Sequence, residues 1–256
     1  MMTSGKWTAF AQVVVGANHR RKNEEGQDFA FYDAEEDIFA LAAVADGHGS
    51  ASCPHSSEGA EAAVQVIAEL LREMRPNIHA QREIRLPRLL EQKWKEKVEA
   101  LHKSQGREYS GAFPYILYGT TLIAAIATPD FIFVLKIGDG DILLMDGSGE
   151  AFPILQSAEN VGEETESLCM ENSWTFVRSQ IIPWNKKQPA MLLLSTDGYA
   201  NSFADSGGFY KAGTDLFNIC REEGFLFVQK NLEDWLLQTS NKGSGDDISL
   251  ALLVFE

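Results

Sequence analysis

The chain of 256 residues is 45% hydrophobic and 23% charged, a globular composition that excludes a low-complexity or disordered polymer. Its net charge of −15, from 22 basic and 37 acidic residues, disfavours broad nucleic-acid binding, because a phosphate backbone is repelled unless a basic face meets it. No apolar run is long enough to span a bilayer, and the opening stretch has no small-residue cleavage site, so a soluble, cytoplasmic monomer without nucleic-acid or membrane partners is expected.

In chain order, the first strand is expected at 9–15 and the second at 38–45, both short, apolar and bounded by turn residues. A helix follows at 57–74, where Ala60, Ala63, Val64, Ile67, Ala68, Leu71 and Met74 recur at spacings of three and four. Ser56 or Ser57 suits its N-cap, Glu58 and Glu61 suit its first turn, and Pro76 stops it. A second helix is expected at 87–103, with Leu90, Trp94, Val98 and Leu101 on one face and Glu91 four residues before Lys95.

Residues 104–116 are polar and weakly periodic, which predicts a surface loop. Strands are then expected at 120–127, 131–137 and 141–145, joined by the tight turns Thr128-Pro129-Asp130 and Gly138-Asp139-Gly140, which predict antiparallel hairpins. A second loop covers 156–173, a strand 190–195, a helix 214–238 that breaks at Gly224, and a last strand 248–255. Strands gathered in blocks rather than alternating with helices predict an α+β layered architecture, with residues 1–256 as a single domain. Cys53, Cys169 and Cys220 are widely spaced and in no CxxC pattern, so plain thiols are expected rather than disulfides or structural zinc.

The informative pattern lies in the acids. Asp28, Asp46, Asp139, Asp197 and Asp246 each stand at or beside the end of a strand-like run, and glycine neighbours all but Asp28. Singly these are ordinary turn residues. If the strand ends converge, carboxylates about 4 Å apart repel by roughly 4 kcal/mol per pair at an effective dielectric of 20, which a divalent ion would relieve. All-oxygen ligands suit Mg²⁺ or Mn²⁺ rather than zinc.

At Val44-Ala45-Asp46-Gly47-His48-Gly49-Ser50 the sequence resembles the first metal-binding motif of the type 2C, metal-dependent serine/threonine protein phosphatases. Further segments resemble that family in order: Gly16-Ala17-Asn18-His19 with Gly26-Gln27-Asp28-Phe29, as in a bacterial branch; Tyr118-Gly119-Thr120-Thr121; Ile137-Gly138-Asp139; Ser195-Thr196-Asp197-Gly198; and Gly245-Asp246-Asp247-Ile248-Ser249. The resemblance implies a four-layer α-β-β-α sandwich of two antiparallel sheets flanked by helices, with metals in a cleft at one end. It also implies hydrolysis of phosphoserine and phosphothreonine esters in phosphorylated protein substrates, in signal transduction, through a water bridging two Mg²⁺ or Mn²⁺ ions.

By the same resemblance Asp46 bridges the two ions and the Gly47 carbonyl adds a ligand. Asp197 and Asp246 complete the first ion's shell, Asp28 serves the second, and Asp139 joins Asp197 at a weaker third ion. Asp247 occupies the family's usual Asn position beside the ligands, with direct ligation open. His48 donates a proton to the departing serine or threonine oxygen, a task its near-neutral pKa suits. The N-terminal motif departs from the family and leaves two registers. In one, Asp28 is the ligand and Gln27 replaces the family's Glu; in the other, Asn23 and Glu25 fill the motif. The phosphate-gripping arginine is Arg20, with Arg21 as the alternative. A non-catalytic relative that binds a partner protein, and a phosphoesterase for small molecules or nucleotides, are the rival readings. The segment 149–173 and the loop before Tyr118 are expected to border the cleft.

Overall fold

The computed structural model describes residues 5–156, 165–184 and 188–256; residues 157–164 of the expected loop 156–173 lie outside them. Two five-stranded antiparallel sheets form the centre. One consists of β1 (Trp7–Val14), β6 (Asp141–Met145), β7 (Ala151–Pro153), β9 (Ala190–Ser195) and β10 (Ile248–Phe255), in the order β1-β10-β9-β6-β7. The other runs β2-β3-β4-β5-β8, from β2 (Phe29–Glu35), β3 (Phe39–Ala45), β4 (Leu122–Ala127), β5 (Phe131–Ile137) and β8 (Arg178–Pro183).

The central strands are apolar on both faces because both faces are covered. Along β3, Leu41, Ala43 and Ala45 pack toward the helical layer of α2 (Ser56–Met74), the short α3 (Ile78–Gln81) and α4 (Arg85–Ser104). Ala40, Ala42 and Val44 face the opposite sheet with Ile123, Ala125, Leu192, Leu194 and Ala251. On the far side Leu193, Leu250 and Leu252 pack under α6 (Ser206–Glu223) and α7 (Phe225–Lys242) with Phe217, Val228, Leu232 and Leu236. Three apolar seams therefore join four layers, the α-β-β-α sandwich expected. Among the described residues no helix is long and apolar enough to cross a membrane.

The local differences have physical causes. α2 starts at Ser56, with His55 in the cap position and no side-chain cap bond, so neither serine caps it. Glu91 and Lys95 on α4 do pair. The expected helix 214–238 is two, α6 and α7, parted at Gly224 with φ of 88°. α6 begins earlier than periodicity suggests, at Ser206, capped by Asp205, whose carboxylate accepts the Gly208 N–H at 2.8 Å; Gly207 and Gly208 blur the pattern there. β2, β7 and β8, for which no strand bounds were expected, are edge strands without a fully buried residue.

Thr128-Pro129-Asp130 closes a β4–β5 hairpin, with the Thr128 hydroxyl accepting the Phe131 N–H at 3.0 Å. Gly138-Asp139-Gly140 does not close a hairpin: β5 and β6 belong to different sheets. Gly138, at φ +103°, turns the chain from one sheet to the other in a conformation that L side chains avoid. That corner carries Asp139 to the end of the sandwich.

Trp94 is fully buried on α4 and donates its indole N–H to the Gly59 carbonyl of α2 at 3.0 Å. Trp94→Ala is expected to destabilise the fold by about 3–5 kcal/mol, read as a lowered urea midpoint with an unchanged slope.

Candidate metal centre and active-site cleft

At one end of the sandwich the strand ends leave a cleft of about 230 Å³, lined by His19, Gln27, Asp46, Gly47, His48, Gly49, Thr121, Asp139, Thr165, Asp197, Asp246 and Asp247. Asp46 ends β3. Its N–H is held by the Thr121 hydroxyl at 3.1 Å, and its carbonyl accepts the Thr120 hydroxyl and the Thr121 N–H, both at 2.9 Å. Gly47 fits a close crossing, for a Cβ there would lie 2.7 Å from the Gln27 carbonyl oxygen and 2.7 Å from the backbone of Ser56. The 3.0 Å bond from His48 N–H to the Gly119 carbonyl fixes the next residue.

Asp139 accepts the Thr165 hydroxyl at 2.9 Å, so the part of loop 156–173 that is described reaches the cleft. Asp197 opens α5 (Asp197–Ala200) and accepts the Asn201 amide at 2.9 Å. Asp246 precedes β10 and accepts the Asp247 N–H at 2.9 Å. Asp28 stands below the cleft rather than on its wall. It is 8% exposed, and its carboxylate accepts the Thr196 hydroxyl at 2.7 Å.

Crowding shows in the acidities. Burial, then the neighbouring Asp28 and Asp197 carboxylates, pushes Asp46 well above the ordinary range. Burial followed by Asp139 raises Asp197. Burial, then the charges of Asp247 and Asp197, raises Asp28 to about 7 against the opposing Thr196 hydrogen bond. Burial lowers His48, with Asp139 pulling the other way.

Asp247 has a different place. Buried at 4% exposure, it receives Gly16 N–H at 2.6 Å, Gln27 N–H at 2.7 Å and His19 Nδ1 at 2.9 Å, so its oxygens are spent on protein donors. Glu25 lies in an adjoining groove with Glu24, Ser56 and Ser57. The structure brings neither arginine to the cleft: Arg20 donates to the side-chain Oδ1 of Asn241 at 2.8 Å and Arg21 to that of Asn18 at 3.3 Å, both exposed. The preceding turn directs α1 (Ala17–Lys22) so that His19 faces inward and the arginines outward. Sequence reasoning gave no role to His19, Thr165 or Thr196. His19 and Thr196 lie inside the motifs quoted above, whereas Thr165 carries no sequence signal. All three cysteines are free thiols.

Among the described residues no three His, Cys, Asp or Glu side chains are already drawn around a single point as a metal cage. The donor set nevertheless fits a hard divalent cation: four carboxyls, of Asp46, Asp139, Asp197 and Asp246, and the backbone of Gly47 share one cleft, and the crowding that raises Asp46 and Asp197 is what a dication would relieve.

The family profile described as Protein phosphatase 2C matches residues 15–237. No curated protein matches the sequence. Among solved structures, the S. agalactiae serine/threonine phosphatase is 17% identical over 96% of this chain and 98% of its own, with a TM-score of 0.63. The catalytic domain of serine threonine protein phosphatase PstP, in complex with two manganese ions, is 15% identical over 98% and 99%, with a TM-score of 0.62. RsbX in complex with magnesium is 15% identical over 98% and 96%, with a TM-score of 0.58. At these identities the likeness is one of fold.

A carboxyl with a raised folded-state pKa contributes stability below its unfolded value, and this is lost as pH climbs to the folded value. For Asp28 that window runs from 3.8 to about 7. In chelator, the thermal midpoint is therefore expected to fall between pH 5 and pH 8, and the gain on adding Mg²⁺ to be larger at pH 8, where cations no longer compete with protons. Scanning calorimetry with and without Mg²⁺ measures both.

Proposed function

The chain belongs to the protein phosphatase 2C family, and on that premise we propose that residues 1–256 work as one Mg²⁺- or Mn²⁺-dependent phosphatase domain that hydrolyses phosphoserine and phosphothreonine esters in proteins. The observation that carries the reading is the convergence of Asp46, Asp139, Asp197 and Asp246 with His48 on one cleft. Manganese in the PstP structure and magnesium in the RsbX structure support a divalent cofactor here.

Asp46, Gly47, Asp197 and Asp246 are the residues to hold two ions, and Asp139 with Asp197 a third. Divalent ions bound there supply Lewis acidity toward a water and toward the phosphoryl oxygens. Asp28 adds negative charge behind Asp46. Asp247 acts by holding Gly16, His19 and Gln27 in place rather than as a ligand. His48 stands half-buried beside the acids, and burial makes its imidazolium readier to release a proton. That disposition suits a general acid for the departing seryl or threonyl oxygen. No covalent phosphoenzyme is needed: Cys53 is buried, and the Cys169 thiol is pushed up in pKa by burial, which is opposite to what a nucleophile requires.

Asp46→Asn is expected to abolish Mn²⁺-dependent hydrolysis of p-nitrophenyl phosphate while raising the thermal midpoint in chelator, because one member of a mutually repelling cluster becomes neutral. Undiminished turnover in that variant would end the scheme. The substrate class is tested separately by comparing kcat/KM on phosphoserine peptides and on nucleoside monophosphates. Peptides are expected to be the better substrates, and preference for nucleotides would point to a small-molecule phosphoesterase.

A further inference from the structure

A transferred phosphoryl group carries charge that the cleft must meet with donors, and both arginines offered by the sequence are engaged outside it, with Asn241 and Asn18. The basic side chains on the cleft wall are His19 and His48. His19 is anchored with unusual completeness for a residue on a six-residue helix. The chain entering that helix is fixed by Gly16 N–H to Asp247 at 2.6 Å, Ala17 N–H to the Ser240 hydroxyl at 3.0 Å and Asn18 N–H to the Gly245 carbonyl at 2.8 Å. The ring itself is oriented by the 2.9 Å contact of Nδ1 with the buried Asp247 carboxylate.

We propose that His19 is the cationic grip on the substrate's phosphoryl group, doing through Nε2–H what the family resemblance assigned to an arginine. The inference rests on the phosphatase reading of the cleft. With Nδ1 donating to Asp247, the other nitrogen is left for a ligand, and no protein group bonds it among the described residues. The hydrogen bond to Asp247, with the charges of Asp247, Asp246 and Glu24 beside it, favours the imidazolium over the opposing cost of burial. An imidazolium donates one charge-assisted hydrogen bond to a phosphoryl oxygen where a guanidinium fork donates two. His19 also lines the adjoining groove that holds Glu24 and Glu25.

The test compares wild type, His19→Gln, His19→Arg, Arg20→Ala and Arg21→Ala, all loaded with Mg²⁺. It measures KM and kcat on p-nitrophenyl phosphate, and the affinity for inorganic phosphate by calorimetry. His19→Gln is expected to weaken phosphate binding and raise KM about tenfold with a smaller change in kcat. His19→Arg should recover most of the affinity, and the two alanine variants should stay within about twofold of wild type. In ¹⁵N-histidine-labelled wild type, the His19 ring resonances should shift when phosphate is added, a readout that needs no variant to fold. Unchanged phosphate affinity in His19→Gln, ring resonances that ignore phosphate, or a loss in Arg20→Ala equal to that in His19→Gln would each overturn the grip. A wild type that binds phosphate through His19 but turns over no ester would overturn the phosphatase reading instead.

Discussion

Like-charge crowding at one end of the sandwich is the constraint around which the rest is arranged. Two neighbouring carboxylates at about 4 Å cost roughly 4 kcal/mol at an effective dielectric of 20, and here Asp28, Asp46 and Asp197 each lie within the others' fields. The protein tolerates the conflict because its cohesion lies elsewhere. Three apolar seams, lined by residues such as Leu41, Val134, Leu193 and Leu252 with no exposed surface, hold the four layers regardless of the charge state at the cleft. Local hydroxyls of Thr121, Thr165 and Thr196 position the strand ends without adding charge.

Asp247 shows how a carboxylate next to that cluster can serve another purpose. It joins Gly16, His19 and Gln27 to a position more than 200 residues later in the sequence, closing a very long loop with charge-assisted hydrogen bonds. The neighbouring Asp246 remains exposed and faces the cleft. At the bend before β10 the two acids therefore part, one bracing the scaffold and the other facing the cleft.

The layered fold was legible in the sequence because its central strands are buried on both faces and its covering helices are periodic; 131–137 and 141–145 match β5 and β6 residue for residue. What escaped was set by tertiary context. The glycine turn at 138–140 looks like a hairpin until the strands around it are seen in different sheets. The convergence of Asp46, Asp139, Asp197 and Asp246 followed from their common place beside strands, whereas Asp28, also beside a strand, is buried against the Thr196 hydroxyl and does not line the cleft. Arg20 and Arg21 were attractive by residue type, but a helix turns neighbouring side chains by about 100° per residue, and only the fold decides that His19 takes the inward position.

The position of β10 between β1 and β9 has a consequence for biosynthesis. The strand encoded latest among the ten is not at a margin but inside its sheet, hydrogen-bonded along both sides. Until residues 248–255 emerge from the ribosome, β1 and β9 expose unpaired backbone and β1 has no neighbour in its sheet, which marks the nascent chain as slow to mature and dependent on protection from aggregation. Since Asp246 lies two residues before that strand, an incomplete translation product lacks both the keystone of the sheet and a cleft acid.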